Sequence, residues 1–237
     1  MLAATKLNNL ACVKILVTSC ADLRLVNKDG WTSFHIAVRT GDLSLLEYLL
    51  QSEQGCWQTA SKNGRTPLHT ACLAGHVLVV KMLLQLDITG VLDVNCPDSC
   101  GSTPLMDAAR GNHLDCIVPL LERLELNLSV KDRYIFVGSM NNIEYFMVIV
   151  NRMGRSVVQV AAQAGAVRLL EFLRAECGVE VEEGGTLHCA AREGQTAMVE
   201  RLITWGVEVD KRWVVVVMIM SDKCVHAGMV REEHHCS

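Results

Sequence analysis

The sequence predicts an all-α protein, a solenoid of stacked helix–turn–helix units with short β-hairpin turns projecting from one edge. Three observations carry that expectation. The stretch from Lys62 to Gln85, KNGRTPLHTACLAGHVLVVKMLLQ, reads as a turn followed by two short helices with an apolar face on each side. Such a unit cannot bury both faces alone, and the same pattern recurs from Gly30, Gly101, Gly154 and Gly185. A residue suited to ending the first helix falls at Gly41, Gly75, Asn112, Gly165 and Gly194; the successive separations, by subtraction, are 34, 37, 53 and 29.

Each element has a local reason. Residues 1–26 read as a unit that starts late, with Ala4 inside a first helix, LACVKILV from Leu10 as a second helix, and the turn portion missing. A natural array ends in a unit with a polar outer face, so this start predicts lost upstream repeats. Residues 27–132 hold three well-preserved units. Asn27-Lys28-Asp29-Gly30 and Lys62-Asn63-Gly64 are turn signals. Thr66 suits a helix cap and Pro67 the first helical position, where a missing N–H costs nothing. Asn112 replaces the usual glycine because asparagine tolerates the left-handed conformation. Pro119, inside a second helix, predicts a local distortion, since an interior proline costs about 3 kcal/mol. Cys12, Cys72, Cys116 and Cys189 fall at helix-packing positions, and Trp57 reads as a packing residue.

Residues 133–153 break the pattern. YIFVGSMNNIEYFMVIV is rich in β-branched and aromatic residues and enters at a turn tip, where an insertion leaves the flanking helices intact. It is either a binding finger or a segment foreign to the fold. Residues 154–211 hold two diverged units, with a shortened link from Glu180 to Gly185. Residues 212–237 form a tail whose run from Trp213 to Met220 is apolar. Its Cys224, His226, His234, His235 and Cys236 lack the paired spacing of structural zinc sites, so no metal site is expected.

The pattern Gly-x-Thr-Pro-Leu-His-x-Ala, complete from Gly64 to Ala71 and partial around Gly30, Gly101 and Gly185, resembles the ankyrin repeat family. The resemblance covers most of the chain outside the 133–153 stretch and the tail. It implies a curved array that binds proteins and catalyses nothing. A vertebrate multi-repeat member with motifs similar to NKDGWTSFHIA and RTPLHTA is a partner of alanyl-tRNA synthetase that limits serine mischarging, with lysines as acyl acceptors. That resemblance implies the same partner here and Lys28 as the acceptor lysine. Gln58, beside Trp57, stands where the relative has a second lysine.

Composition narrows the function classes. The chain has 237 residues, is half apolar with few aromatics, and carries a net charge of −4, which offers no overall footprint for nucleic acid. No apolar run approaches the ~20 residues a membrane span needs. Eleven cysteines, an odd number without framework spacing, point to a reducing compartment, hence a cytoplasmic or nuclear location. His35, His69 and His188 recur at one position of the unit, which assigns them to the fold, bonding the Thr side chain and nearby backbone, rather than to catalysis. No phosphate-cradling loop or nucleophile motif is present, and no cofactor or small-molecule substrate is expected.

Residues not dictated by packing occupy the turn tips (Lys28, Lys62), the position after the turn glycine (Trp31, Arg65, Ser102) and the end of the first helix (Arg39, Leu73, Arg110). These eight form the expected partner-binding set. Trp31 either contacts a partner or packs on the neighbouring turn. The function expected is a protein-binding module. The alternatives are a generic scaffold without the synthetase role, or a truncated product without retained activity.

Overall fold

The computed structural model describes residues 1–53, 55–86, 92–131, 151–177, 179, 181, 185–207 and 209. Most of the 133–153 stretch and of the 180–185 link, and the whole 212–237 tail with its cysteines and histidines, lie outside the described residues. The described elements are helical, with turns between them, and they fall into two compact units, Met1–Val157 and Val158–Ser237.

Among the described residues, the first unit is a stack of four helix pairs: α1 (Leu2–Lys6) with α2 (Leu10–Thr18), α3 (Ser33–Thr40) with α4 (Leu43–Ser52), α5 (Pro67–Ala74) with α6 (Val77–Leu86), and α7 (Pro104–Arg110) with α8 (Leu114–Lys131). A single 3₁₀ turn, Cys56–Gln58, follows α4 and seats Trp57 in the core. The first helices α1, α3, α5 and α7 pack in sequence, and behind them α2 packs on α4 and α6 on α8.

Local chemistry starts and stops these helices. The hydroxyls of Thr32, Thr66 and Thr103 accept the backbone N–H groups of His35, His69 and Met106, and Asp42 and Asn9 cap second helices in the same way. Gly41 and Gly75 end α3 and α5 with φ of 75° and 76°, and Asn112 takes φ 57° after α7, as the sequence predicts. At Gly41 a second constraint acts, because an added Cβ would meet the His76 ring at 2.7 Å. Phe34, Leu45, Leu46, Leu49, Leu68, Leu83, Leu105, Ile117 and Leu120 fill the layer between the rows. Each such side chain contributes about 1.5–3 kcal/mol on burial.

Several expectations need correction. Cys12 is exposed, whereas Cys72 and Cys116 are buried. Cys12 occupies the slot of Leu45, Val79 and Cys116, but among the described residues no helix pair covers that side of α2. Helix α8 passes through Pro119 without interruption. The proline is buried in the stack. The all-α expectation holds: the projecting tips are turns, and no strand occurs among the described residues. Repeat geometry also begins within the 133–153 stretch: Asn151 makes the same turn as Asn27, with Gly154 N–H bonded to its carbonyl at 2.8 Å.

The second unit contains α9 (Val157–Gln163), α10 (Val167–Cys177), α11 (Thr186–Arg192) and α12 (Thr196–Thr204). Val158, Ala161, Leu169, Leu170, Leu173, Ala190, Met198 and Leu202 form its core. Helix α12 packs on both α10 and α11. Gly165 and Gly194 keep the left-handed stop, at φ 70° and 71°. At the start of α11 the cap is Gly185, which makes no side-chain cap bond. Cys189 is buried here, as its helix-packing position predicts.

Candidate protein-interaction surface

Four turn tips project from the first unit. Each is a β-turn closed by the glycine N–H on a carbonyl three residues back: Asn27 to Gly30, Ser61 to Gly64, Asp98 to Gly101 and Asn151 to Gly154. Asn27, Asp98 and Asn151 also use a side-chain oxygen to accept two N–H groups of their own turn. Neighbouring tips are stitched by backbone bonds, Lys62 N–H to Asp29 O at 3.1 Å, Ser99 N–H to Asn63 O at 2.8 Å and Arg152 N–H to Cys100 O at 2.9 Å. The tips therefore run as one row.

Two side-chain clusters join this row to the ends of the first helices, so both border one face. In the first, the Arg39 guanidinium lies 5.3 Å from the Trp31 ring centroid and the His35 ring 5.9 Å from it. In the second, Arg65 pairs with Asp98 at 3.4 Å and with Asp107, and Arg110 pairs with the other oxygen of Asp107 at 3.2 Å. The face thus carries Trp31, half-buried, beside exposed Arg39, with Leu73 on the next helix 39 % exposed.

His35 and His69 do what the sequence predicts; at His188 the cap position is Gly185, which offers no hydroxyl for that bond. The Nδ1 atoms of His35 and His69 each lie 2.9 Å from a cap hydroxyl, Thr32 and Thr66 respectively, and accept the cap backbone N–H. The opposite nitrogen, Nε2, lies 3.3 Å from Arg65 O for His35 and 3.0 Å from Ser102 O for His69. One arrangement fits all of these bonds: a neutral ring protonated at Nε2, donating to the next repeat. Burial holds both imidazoles below their ordinary value, against the bonds to Arg65 and Ser102 carbonyls.

Of the eight expected contact residues, Lys28, Lys62 and Arg39 are exposed, Leu73 and Arg110 are accessible, and Trp31 is half-buried. Arg65 is largely engaged by Asp98 and Asp107, its side chain 18 % exposed. Ser102 is a correction: it is buried, its hydroxyl donating to Asp107 at 3.3 Å and accepting from Arg110 at 3.3 Å. It offers a partner nothing because the inward turn of its side chain completes a buried polar cluster.

The centre of that cluster, Asp107, is absent from the sequence-derived set. It takes the slot of Ile36 and Thr70, directly after the histidine position, where α7 has Met106. A carboxylate in an otherwise apolar or neutral slot was the available signal. Burial pushes its carboxyl up to about 6, against the pull of Arg65 and Arg110.

No helix among the described residues is long and apolar enough to cross a membrane. Comparison with known proteins agrees with the geometry. A family model described as ankyrin repeats, three copies, matches residues 1–92 and 62–134. The chain is 26 % identical over 194 residues to a Caenorhabditis elegans homolog of transient receptor potential cation channel subfamily A member 1, which covers 80 % of this chain and 14 % of that protein. It is 28 % identical over 163 residues to the probable E3 ubiquitin-protein ligase XBOS33 of Oryza sativa, covering 68 % and 27 %. With ankyrin repeat protein nuc-2 of Neurospora crassa it shares 26 % identity over 220 residues, covering 89 % and 18 %. The chain spans well under a third of these relatives, and what the matches share is the repeat array, a protein–protein interaction module. The chain belongs to the ankyrin repeat family.

Proposed function

We propose that the chain is a non-enzymatic adaptor that binds a protein partner along the face bordered by the turn tips and the first-helix ends of its first unit. The observation that carries this reading is Trp31. It stays partly exposed, with the Arg39 guanidinium over its ring and the His35 ring tilted beside it, at the junction of the two rows, where an amphipathic aromatic supplies large contact area at low entropic cost.

Within this reading, the family resemblance favours alanyl-tRNA synthetase as the partner and Lys28 as the acceptor of misactivated serine. Lys28 stands exposed on the first complete tip, one turn from Trp31, where its amine has the reach such a role needs. Gln58 supplies no second acceptor.

The test is a pull-down from cytosolic lysate with the wild-type chain and a Trp31→Ala, Lys28→Glu double variant. Capture of alanyl-tRNA synthetase, lost in the variant, is the expected result. A different partner lost in the same variant keeps the adaptor function and removes the synthetase role. A folded wild-type chain that captures nothing overturns both and favours a product without retained activity.

A further inference from the structure

The chain is acidic overall, yet the face just described is not. Lys28 and Lys62 project from adjacent tips, Arg152 from a third, and Arg39 and Arg110 from the ends of α3 and α7. Two carboxylates of this face, Asp98 and Asp107, are buried and matched by Arg65 and Arg110, which leaves Lys28, Lys62, Arg39 and Arg152 to set its charge. Asp29, exposed on the first tip, offsets part of it. Away from the face the signs are mixed: Glu47, Asp115 and Glu122 stand exposed on second helices and Asp22 and Asp93 on the loops that follow them, among the exposed Lys14, Lys81 and Arg24. The tip face thus carries a local excess of exposed positive charge on a chain whose net charge is −4.

We propose that this face takes an extended, acidic peptide segment of a partner protein. The inference rests on the protein-binding reading and deepens it by naming the partner's chemistry. Charge complementarity supplies the recognition, since opposite potentials across an interface fix partner choice and steer encounter. The rows supply the spacing. Helices packed in a stack recur about every 8–10 Å. A peptide in the polyproline II conformation rises ~3.1 Å per residue with three residues per turn, so every third side chain faces the same way and meets a new row. Acidic residues at three-residue intervals match the succession of Lys28, Lys62 and the tips beyond. Trp31 and Leu73 add apolar contact between the charges, which a peptide side chain can use and a phosphate backbone cannot.

The test is a random-peptide display selection against the intact chain, followed by binding measurements on the selected peptides. The expected sequences are net negative, with Asp or Glu recurring every third residue. Their affinity falls about tenfold in a Lys28→Glu, Lys62→Glu variant, and falls again between ~50 and ~500 mM salt, as expected for exposed charge pairs. Both lysines are exposed, and circular dichroism checks that the variant remains folded. Selected peptides that are neutral or basic, or acidic ones indifferent to the variant, overturn the acidic preference while leaving protein binding intact. A single-stranded RNA probe that binds the face more tightly than any selected peptide overturns it in favour of nucleic acid. A folded chain that selects nothing overturns both this inference and the adaptor reading.

Discussion

Arg65 and Asp107 form an ion pair across a repeat boundary, 42 residues apart in sequence and joined at the edge of the buried layer. Asp107 is fully buried and also takes Arg110 and the Ser102 hydroxyl, so one carboxylate collects the polar ends of two tips and a helix. Removing the carboxylate leaves Arg65 with Asp98 alone and the buried Ser102 hydroxyl without its acceptor. Asp107→Ala is expected to cost about 3 kcal/mol in urea unfolding, whereas an Arg65→Met, Asp107→Leu double variant recovers most of that loss.

The same carboxyl sets a pH dependence. Its folded-state value of about 6 lies above its ordinary 3.8, so between those values the folded chain holds a proton that the unfolded chain releases. Its contribution is full below pH ~4 and lost as pH rises through ~6. Asp107→Asn removes this contribution, and the difference in unfolding free energy from wild type is expected to change across that window and to be flat above it.

His35 and His69 act with the opposite sign. Burial lowers both from 6.5, so their contribution is full above pH ~6.5 and lost as pH falls through their depressed folded values. His69→Ala is expected to cost ~1–3 kcal/mol at neutral pH, because it leaves the Thr66 N–H without its acceptor and removes the imidazole's bond to the Ser102 carbonyl, which keeps only the Asp98 N–H. The variant is also expected to lose part of the acid sensitivity seen by urea titration at pH 7.5 and pH 5.

The helix stops separate glycine from asparagine. Gly75→Ala places a Cβ at a φ of 76° and 2.6 Å from the His113 ring, so a loss of at least ~1–2 kcal/mol is expected from the backbone alone. Asn112→Gly, at φ 57°, relieves that backbone cost and is expected to leave thermal stability unchanged or slightly raised.

Thiol reactivity reads the stack directly. Cys12, Cys20 and Cys100 are exposed and are expected to label rapidly with a thiol reagent in the native chain. Cys56 and Cys116, pushed by burial up to about 12 and about 11, and Cys72, pushed well above its usual range, label only on unfolding. Mass spectrometry of the labelled peptides distinguishes the two groups.

The fold was legible because its determinants are local and repeated. A Thr–Pro pair, a histidine three residues after the cap and a glycine at the stop each specify a backbone conformation within a few residues, and α5 shows all three. The site was only partly legible. Lys28 and Arg39 fall on the surface as their repeat positions imply. Ser102 does not, because its environment is set by Asp107 and Arg110, a pair on α7 whose slots hold Ile36 and Arg39 on α3 and Thr70 and Leu73 on α5. Cys12 fails for the complementary reason: its slot is apolar in every later pair, but burial of a slot depends on a neighbour.

The bonds from His35 to the Arg65 carbonyl and from His69 to the Ser102 carbonyl span 30 and 33 residues. During synthesis on a ribosome, the imidazole emerges well before the carbonyl that will receive its proton. Each first helix can therefore form as soon as its own threonine and histidine are out, but it is locked only when one further unit has left the exit tunnel. Acquisition of native structure trails translation by about one repeat, and a nascent chain halted between His69 and Ser102 is left with its newest helix capped at one end of the imidazole and open at the other.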